Sequence, residues 1–521
     1  MMFNLLAAPL IRAETGEGAR LLTLPETLAA LMRDEVVAFP ALRPHQRHAW
    51  HMFLAQLGAL ALYRAGEGQI PVEADIWDDL LLDLTGGATE PWSLVVDDLT
   101  KPAFLQPPVP EGNLAALKNT IPTPDALDVL ITSKNFDLKS AVAAQAQPDD
   151  WLFALISLQT MEGFLGAGNY GIARMNGGFS ARPFMGLAPR QGGMGAHLRR
   201  DIAALLAGRD ELIRKHGDLY AEEDGIALLW LEPWDGARSL PLTRLDPWFI
   251  EICRRIRFVA DGAGFRVTGG GSAAPRIDAK AQKGVTGDFW APVNDAEGKA
   301  FSLDSRGFSY RVLCRILFGE GSTRIFGLPS AMKVRPGETE MAIVARGVTR
   351  GQGKTEGFHE RVIPLHTAMK RAMIDDDARE TLGQIADRQQ KEIAQITSAL
   401  RLACAVVASG GAAEKPGKDD YAQAEPYTRR LEAEADAGFF DALEARLTEG
   451  EAAKADYLRG LIGTAQGLLA EASEAIPCPA RARWRARERA PVAFFAALWG
   501  KGALVNDREL IFPKKKEAAD A

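Results

Sequence analysis

GFLGAGNYGIARMNGGFSARPFMGLAPRQGG, residues 163–193, is the stretch whose reading decides how the rest of the chain is laid out. Nine of these residues are glycine; Glu162 and Asp201 bracket the region, with no acid between them. Up to Arg200 it carries five arginines (Arg174, Arg182, Arg190, Arg199 and Arg200), together with His197 and the aromatics Phe164, Tyr170, Phe179 and Phe184. Glycine allows a close approach of backbone N–H groups and left-handed conformations, and arginine supplies a fixed, forked positive charge. The combination suits a polyanion, while a solvated glycine-rich loop has the same composition. Gly166 to Gly171 formally reads GxGxxG, but a dinucleotide fold needs a strand before it, a helix after it and an acid about 20 residues on. Here a helix precedes, glycine and proline follow, and Pro189 to Gly193 stands where the acid belongs, so a dinucleotide-binding sheet is excluded.

Working outward, WLFALISLQTMEGFL has helical spacing behind an Asp149-Asp150 cap and leads directly into the glycines. Before it, Leu127 to Val142 is an apolar run followed by the loop Ser133 to Lys139. Lys134, Asn135, Phe136 and Lys139 there are either a contact for single-stranded nucleic acid or a helix-capping loop. Residues 65–125, rich in proline, read as irregular packing, and Thr27 to Arg64 as helical. His45, His48 and His51 fall in that helix, but His51 has rotated away from the other two, so no metal site is expected. Residues 1–24 predict a hairpin about the turn Thr15 to Gly18.

Downstream, residues 201–262 read as helix, a strand-like piece at Ile226 to Leu231 and an amphipathic segment ending FIEICRRIRF. Lys280 and Lys283 then precede the turn Thr286-Gly287-Asp288 and either reach a phosphate or coat a surface. Met341 to Leu365 predicts a β-hairpin whose tip is Arg350-Gly351-Gln352-Gly353-Lys354. GQGKT is not a phosphate-binding loop: that motif needs a glycine at 348, where valine stands, and a following helix. A glutamine between glycines can enter a narrow groove or insert between base pairs. From Asp375 the composition turns to Ala, Glu, Leu, Arg and Lys, predicting helices at 376–409, 424–448, 450–474 and 479–500. The fold class is therefore α+β, with a large mixed domain (1–370), a C-terminal four-helix bundle (375–510) and a frayed tail (511–521). In the last helix Arg481, Arg485 and Arg489 form either a phosphate-facing stripe or a solvated face.

The 521 residues carry a net charge of −7, so any contact with nucleic acid must be focal. Four cysteines without CxxC spacing predict neither a zinc knuckle nor a disulfide framework, and the opening MMFNLLAAPLIRAE lacks a basic n-region. A reduced, cytoplasmic protein without a membrane span is expected. HExxH, GxSxG and the histidine–aspartate doublet of metal-dependent nucleases are all missing, which lowers the odds of an enzyme.

The order and spacing of these features resemble the CasA family, the large subunits of type I-E CRISPR Cascade complexes. The matching pieces are FNLLAAPLI (Phe3 to Ile11), PAFLQP (Pro102 to Pro107), SKNFDLK (Ser133 to Lys139), GFLGAGNYGIARMNGG (Gly163 to Gly178), TGDFWAPV (Thr286 to Val293), the hairpin tip and the four-helix ending. The resemblance spans nearly the whole chain. It departs at Leu10, where the family often has tryptophan, and in lacking the paired cysteines of some members. It implies a non-catalytic subunit without cofactor or metal, partnered with crRNA, with the backbone, handle-binding and small Cascade subunits, and with PAM-bearing double-stranded DNA. Such a subunit reads the PAM, starts strand separation and helps recruit a helicase-nuclease. By position it implies that Gly166, Gly168, Asn169, Gly171, Arg174, Asn176, Gly177 and Gly178 lie at the PAM minor groove. Gln352, with Arg350, Gly351, Gly353 and Lys354 around it, would be the strand-splitting wedge, and Lys280 or Lys283 the lysine finger. Lys134, Asn135, Phe136 and Lys139 would dock near the crRNA handle. Another Cascade subtype and a nucleic-acid-processing nuclease are the alternative readings.

Overall fold

The chain enters through a hairpin, β1 (Ile11–Thr15) and β2 (Gly18–Leu22), as its turn predicts. A capping box then starts α1 (Leu24–Met32): Thr23 Oγ1 accepts from the Glu26 N–H at 3.2 Å, and Glu26 Oε2 accepts from the Thr23 N–H at 2.7 Å. The structure, a computed structural model, describes residues 3–129, 146–177, 181–262, 264–320, 323–351, 354–412 and 415–513. It divides into two units, Met1–Phe308 with Phe326–Leu365, and Ser309–Ile325 with His366–Ala521. A boundary at 370–375 does not anticipate that Ser309–Ile325 joins the helical unit.

In the first unit, the helix expected over 27–64 is two helices. β3 (Val36–Ala38) and a 3-10 turn at Pro44–Gln46 separate α1 from α2 (Arg47–Ala65), because Pro40 and Pro44 cannot donate to a helix ladder. α2 has 14 of its 19 residues buried and stops where Gly66 turns left-handed. A helix apolar on all sides belongs inside a core, and α2 packs against α3 (Ala74–Asp83) and against helices that come later in the chain. β4 (Asn119–Ile121) is followed by α4 (Pro148–Met161), itself buried along most of its length and packed on α2. The glycine stretch then leads to β5 (Phe184–Pro189) and α5 (Gly193–His216), which also packs on α2 and begins eight residues before the helix expected from 201.

Short strands β6 (Ile226–Leu228) and β7 (Leu240–Pro241) precede β8 (Leu245–Ile250), β9 (Arg255–Asp261) and β10 (Gly264–Gly270). The segment ending FIEICRRIRF is thus strand, and every residue of β8 is buried, so sequence alternation carries no signal there. After β11 (Ile277–Asp278), β12 (Val293–Asn294), β13 (Lys299–Ala300) and β14 (Phe326–Gly327) comes the predicted hairpin, β15 (Met341–Gly351) and β16 (Lys354–Pro364). β5 joins it, giving the antiparallel order β16-β15-β5 with Met341 opposite Pro189 and Arg346 opposite Phe184.

The second unit is helical: α6 (Tyr310–Leu317), α7 (Thr367–Ala372), α8 (Asp376–Ala408), α9 (Lys418–Ala422), α10 (Glu425–Glu449), α11 (Glu451–Ala475), α12 (Ala480–Gly500) and α13 (Arg508–Ile511). The four long helices fall within one residue of the predicted bounds. Asp375 starts α8 by accepting from the N–H groups of Asp377 and Ala378, and Gly410 and Gly411 end it in left-handed conformations. Leu382, Ile393, Ile396, Phe439, Leu443, Leu458, Ile462 and Phe494 fill the bundle core at helical spacing. Glu392 is buried there against Arg446 at 2.6 Å, and Lys454 reaches Asp507 at 3.0 Å. Tyr310 ties α6 to the bundle: its ring stacks on Phe439 at 4.5 Å and its N–H donates to Asp436 at 2.6 Å.

Candidate nucleic-acid interface

α4 delivers the chain to Glu162, whose carboxylate is buried, and the glycine loop starts at the next residue. The loop closes on itself, with the Leu165 N–H donating to the Asn169 carbonyl at 2.9 Å and the Asn169 N–H to the Gly166 carbonyl at 3.0 Å. A Cβ on Gly171 would lie 2.6 Å from the Gly163 carbonyl carbon, so the two limbs of the loop are in backbone contact and only glycine fits. The Arg254 guanidinium clamps both limbs, donating to the Gly163 carbonyl at 3.2 Å and to that of Tyr170. From behind, the Ser272 N–H reaches the Gly168 carbonyl at 3.0 Å. Leu165, Ala167 and Asn169 face solvent, and Gly166 and Gly168 are half-buried beside them. The loop is thus a braced ridge whose outermost residues are Leu165, Ala167 and Asn169, with the backbone of Gly166 and Gly168 set between them.

The arginines downstream do something else. Arg174, expected at the minor groove, is 2% exposed: its guanidinium donates to the carbonyls of Pro247 and Phe249 and lies 3.7 Å over the Phe249 ring. Glu251 sits beneath it, accepting from the Ala173 N–H at 2.6 Å. Arg182 is buried as well, 2.6 Å from Asp288. Burial opposes ionisation of Asp288, but Arg182 and Arg174 together hold its carboxyl below the usual range. Arg199 caps the end of α1 through the carbonyls of Leu31 and Met32, and Arg200 bonds Glu338, Asp201 and two backbone carbonyls. Of the five, Arg190 is the one in the exposed class. The window is acid-free in sequence, yet its counter-charges arrive from Asp34, Glu251, Asp288 and Glu338.

The lysines behave as cations for solvent. Lys280 and Lys283 are both exposed, on a turn in which the Lys283 N–H donates to the Lys280 carbonyl at 3.4 Å and Lys283 itself takes φ 48°. A Cβ on the next residue, Gly284, would lie 2.8 Å from the Met175 carbonyl carbon. The lysine turn is therefore laid directly on the backbone leaving the glycine loop. Asn176 reinforces the join, donating to the Ala300 carbonyl at 3.0 Å and Ser302 Oγ at 2.6 Å, while Gly177 is exposed. The amide nitrogen of Asn176 is thus engaged in the fold rather than presented to a ligand.

The hairpin meets the same region. Its ladder runs to Gly351 opposite Lys354, with a register shift after Thr349, and Thr349 Oγ1 donates to the Gly357 carbonyl at 3.2 Å. Arg350 does not project with the tip. Its buried guanidinium forms an ion pair with Glu162, at the root of the glycine loop. Burial pushes the Glu162 carboxyl up, and Arg350 and Arg254 pull it back down. Gln352 and Gly353 lie outside the described residues, as do Gly178, Lys134, Asn135, Phe136 and Lys139. The stretch before that last loop is anchored where Asp128 meets His45 at 2.7 Å and Gln46 at 2.6 Å.

In the helical unit, Arg481, Arg485 and Arg489 share one side of α12 and are exposed. Arg485 donates to the Gly410 carbonyl at 3.0 Å and Arg489 to the Gly411 carbonyl at 2.8 Å. Two of the three therefore cap the end of α8, where the helix dipole favours a cation, and the stripe is in part a packing device. The sequence marks Glu162 only as the acid that opens the window and Asp288 only as part of a turn, and nothing in local spacing marks Arg254 or Glu251 or the contacts that all four make.

No protein-family model matches the chain, and a search of curated proteins finds no match. Solved structures do match. CasA from Thermus thermophilus aligns with TM-score 0.63 at 17% identity, over 96% of this chain and 100% of that one. Thermobifida fusca Cse1 gives 0.63 at 16%, over 96% and 98%. A chain described as a CRISPR RNA-guided surveillance complex gives 0.53 at 13%, over 95% and 99%. The chain has the fold of these proteins along nearly its full length.

Proposed function

We propose that the chain is the non-catalytic large subunit of a type I-E CRISPR Cascade surveillance complex, reading the PAM in double-stranded DNA and starting strand separation for a crRNA-guided R-loop. The observation that carries this reading is the ion pair between Arg350 and Glu162, which roots the hairpin at the glycine loop. The lysine turn lies against Met175, so the hairpin and the two solvent-facing lysines are each tied to backbone next to the glycine loop, which supports a shared role for these features. The ridge, led by Gly166, Gly168 and Asn169, follows the minor groove, and Lys280 and Lys283 contact phosphate or base edges. Because that groove's pattern is degenerate, recognition by backbone and one or two lysines gives relaxed PAM choice. Gln352 enters the duplex, where unstacking a step costs on the order of a few kcal/mol, offset by the surrounding contacts. Guide pairing then carries sequence specificity, as in other RNA-guided effectors. The likeness to a surveillance-complex chain supports partnership with the crRNA-bearing backbone, the handle-binding and small subunits, and a helicase-nuclease that the subunit helps recruit.

Co-expression with candidate partner subunits and a crRNA tests the assembly: the chain co-purifies with them if the reading holds. In that complex Gln352→Ala weakens R-loop formation more than initial duplex binding; unchanged R-loop formation removes the wedge role. Metal-dependent DNA cleavage by the purified chain alone would favour a nuclease instead.

A further inference from the structure

The histidine of α2 that sequence spacing set apart, His51, meets two residues of α5. His51 Nε2 lies 2.9 Å from Asp201 Oδ2, and His197 Nε2 lies 3.7 Å from the same oxygen. The two imidazole rings stand 4.1 Å apart, tilted by 33°. One donor atom from each of the three residues lies within 4.8 Å of the other two. We propose that His51, His197 and Asp201 form a binding site for one divalent ion of the zinc class, tying α2 to α5.

Four observations carry it. Metal–ligand bonds of about 2.0–2.1 Å in a tetrahedral site place ligand atoms about 3.3 Å apart, and the separations of 2.9 and 3.7 Å bracket that value. His197 is buried, yet its Nε2 has no hydrogen-bond partner among the described residues, and a buried nitrogen left unpaired is destabilising. Asp201 is fully buried and its carboxylate is oriented from outside the trio, by the Trp290 indole N–H at 2.8 Å and by Arg200 at 3.1 Å. Carboxylate ligands of metals are held in this manner. Finally, His51 and His197 line a cavity of about 660 Å³ walled by Phe39, Trp50, Leu54 and Val344, which reaches solvent past the exposed Val37 and Val362. The cavity gives the ion an entry path and room for a fourth ligand. Arg47, Arg190 and Arg346 also line it, so an anionic fourth ligand is favoured.

Binding needs no further reactant. Where His51 now donates from Nε2 to Asp201, its ring proton moves to Nδ1, and the hydrogen bond gives way to metal bonds from Nε2 and Oδ2. The two imidazole donors favour zinc, cobalt or nickel over magnesium or calcium. Two-histidine sites on neighbouring helices add stability by mass action when the ion binds only the folded chain.

The test uses the full chain after chelator treatment, titrated with Co²⁺ as a spectroscopic probe and then with Zn²⁺. Expected are one Co²⁺ per chain with the visible absorption of a low-symmetry site, displacement by Zn²⁺, and a raised Tm. His51→Ala and His197→Ala should each weaken Zn²⁺ binding by more than the about 10–100-fold that loss of a residue outside the ligand set costs. His366→Ala, in the helical unit, should leave it unchanged. Should the α2 and α5 variants fail to fold, the wild-type chain still decides: Zn²⁺ must shift the ring nitrogens of His51 and His197 and spare those of the other histidines. No Co²⁺ absorption, undiminished binding in either variant, or shifts confined to other rings would each overturn the site.

Discussion

Two basic regions of the first unit make opposite use of their charge. Between Arg174 and Arg200 the sequence is densely cationic, yet Arg174, Arg182 and Arg200 are buried against Glu251, Asp288 and Glu338. The turn at Lys280 and Lys283 carries two charges, and both reach solvent. The difference follows from the side chains. A planar guanidinium can donate five hydrogen bonds inside a fold and is weakly hydrated, whereas an ammonium is a strongly hydrated point charge that resists burial. A local count of positive residues therefore overstates the surface potential where the residues are arginine, because carbonyls and carboxylates from distant parts of the chain accept their guanidinium N–H groups.

Breaking the buried side of the comparison should have the largest effect. Arg174→Ala leaves Glu251 and Asp288 without one of their buried cations, and a loss of about 3–5 kcal/mol is expected in urea unfolding. Arg190→Ala, at an exposed position, should change stability by less than about 0.5 kcal/mol. An equal loss in the two variants would remove the distinction drawn between them.

Arg350→Ala comes next. It strands Glu162, but that carboxyl is already raised by burial and can protonate, so the expected loss is about 1–3 kcal/mol. Adding Glu162→Gln should recover some of that loss, a coupling that a double-mutant cycle measures. A strictly additive pair would mean that the ion pair does not root the hairpin.

A smaller, pH-dependent effect comes from His48, which is buried, packed against Phe358 and without a partner for either ring nitrogen among the described residues. Burial first, then Arg346 and neighbouring histidines, push its pKa well below the ordinary value of 6.5. Below about pH 6.5 the unfolded chain takes up the proton and the folded chain does not, so this stability is present above that pH and lost as pH falls. The slope is at most about 1.4 kcal/mol per pH unit for one group. Unfolding at about pH 7.5 and pH 5.5 measures it, and His48→Gln should flatten it. The Glu162 carboxyl, raised in the fold, acts in the opposite sense nearer its own range.

The exposed side of the comparison should leave stability almost untouched. Lys280→Ala with Lys283→Ala should shift unfolding by less than about 0.5 kcal/mol. In a Cascade complex the pair should reduce the slope of log binding constant against log salt by up to about 2, since each phosphate contact contributes about 0.9. An unchanged slope would place the DNA elsewhere.

Local patterns made much of this legible. The four long helices follow from 3.6-residue periodicity punctuated by Gly410-Gly411, Gly450 and Pro477 to Pro479, and the two hairpins from their glycine turns. The failure of the Rossmann reading needed only the absence of a strand before Gly166. Strand β8 was not legible as strand, since it is buried on both faces and has no alternation, and the short sheets around it are made by partners far away in the chain. The helix expected through Arg33–Gln46 failed because two prolines outweighed periodicity.

What the sequence by itself determined is therefore the set of elements and the backbone freedom of the glycine loop, because both depend on neighbours within a few residues. Only the tertiary structure decided which cations face solvent, that Arg350 turns inward to Glu162, that Ser309–Ile325 belongs with the helices, and that His51 finds its partners on α5. Those outcomes rest on pairings far apart in the chain, from the 73 residues between Arg174 and Pro247 to the 150 between His51 and Asp201 and the 188 between Arg350 and Glu162. Spacing along a chain carries no record of such pairs; the packing of a buried core, which must place an acid or a carbonyl against every buried cation, creates them.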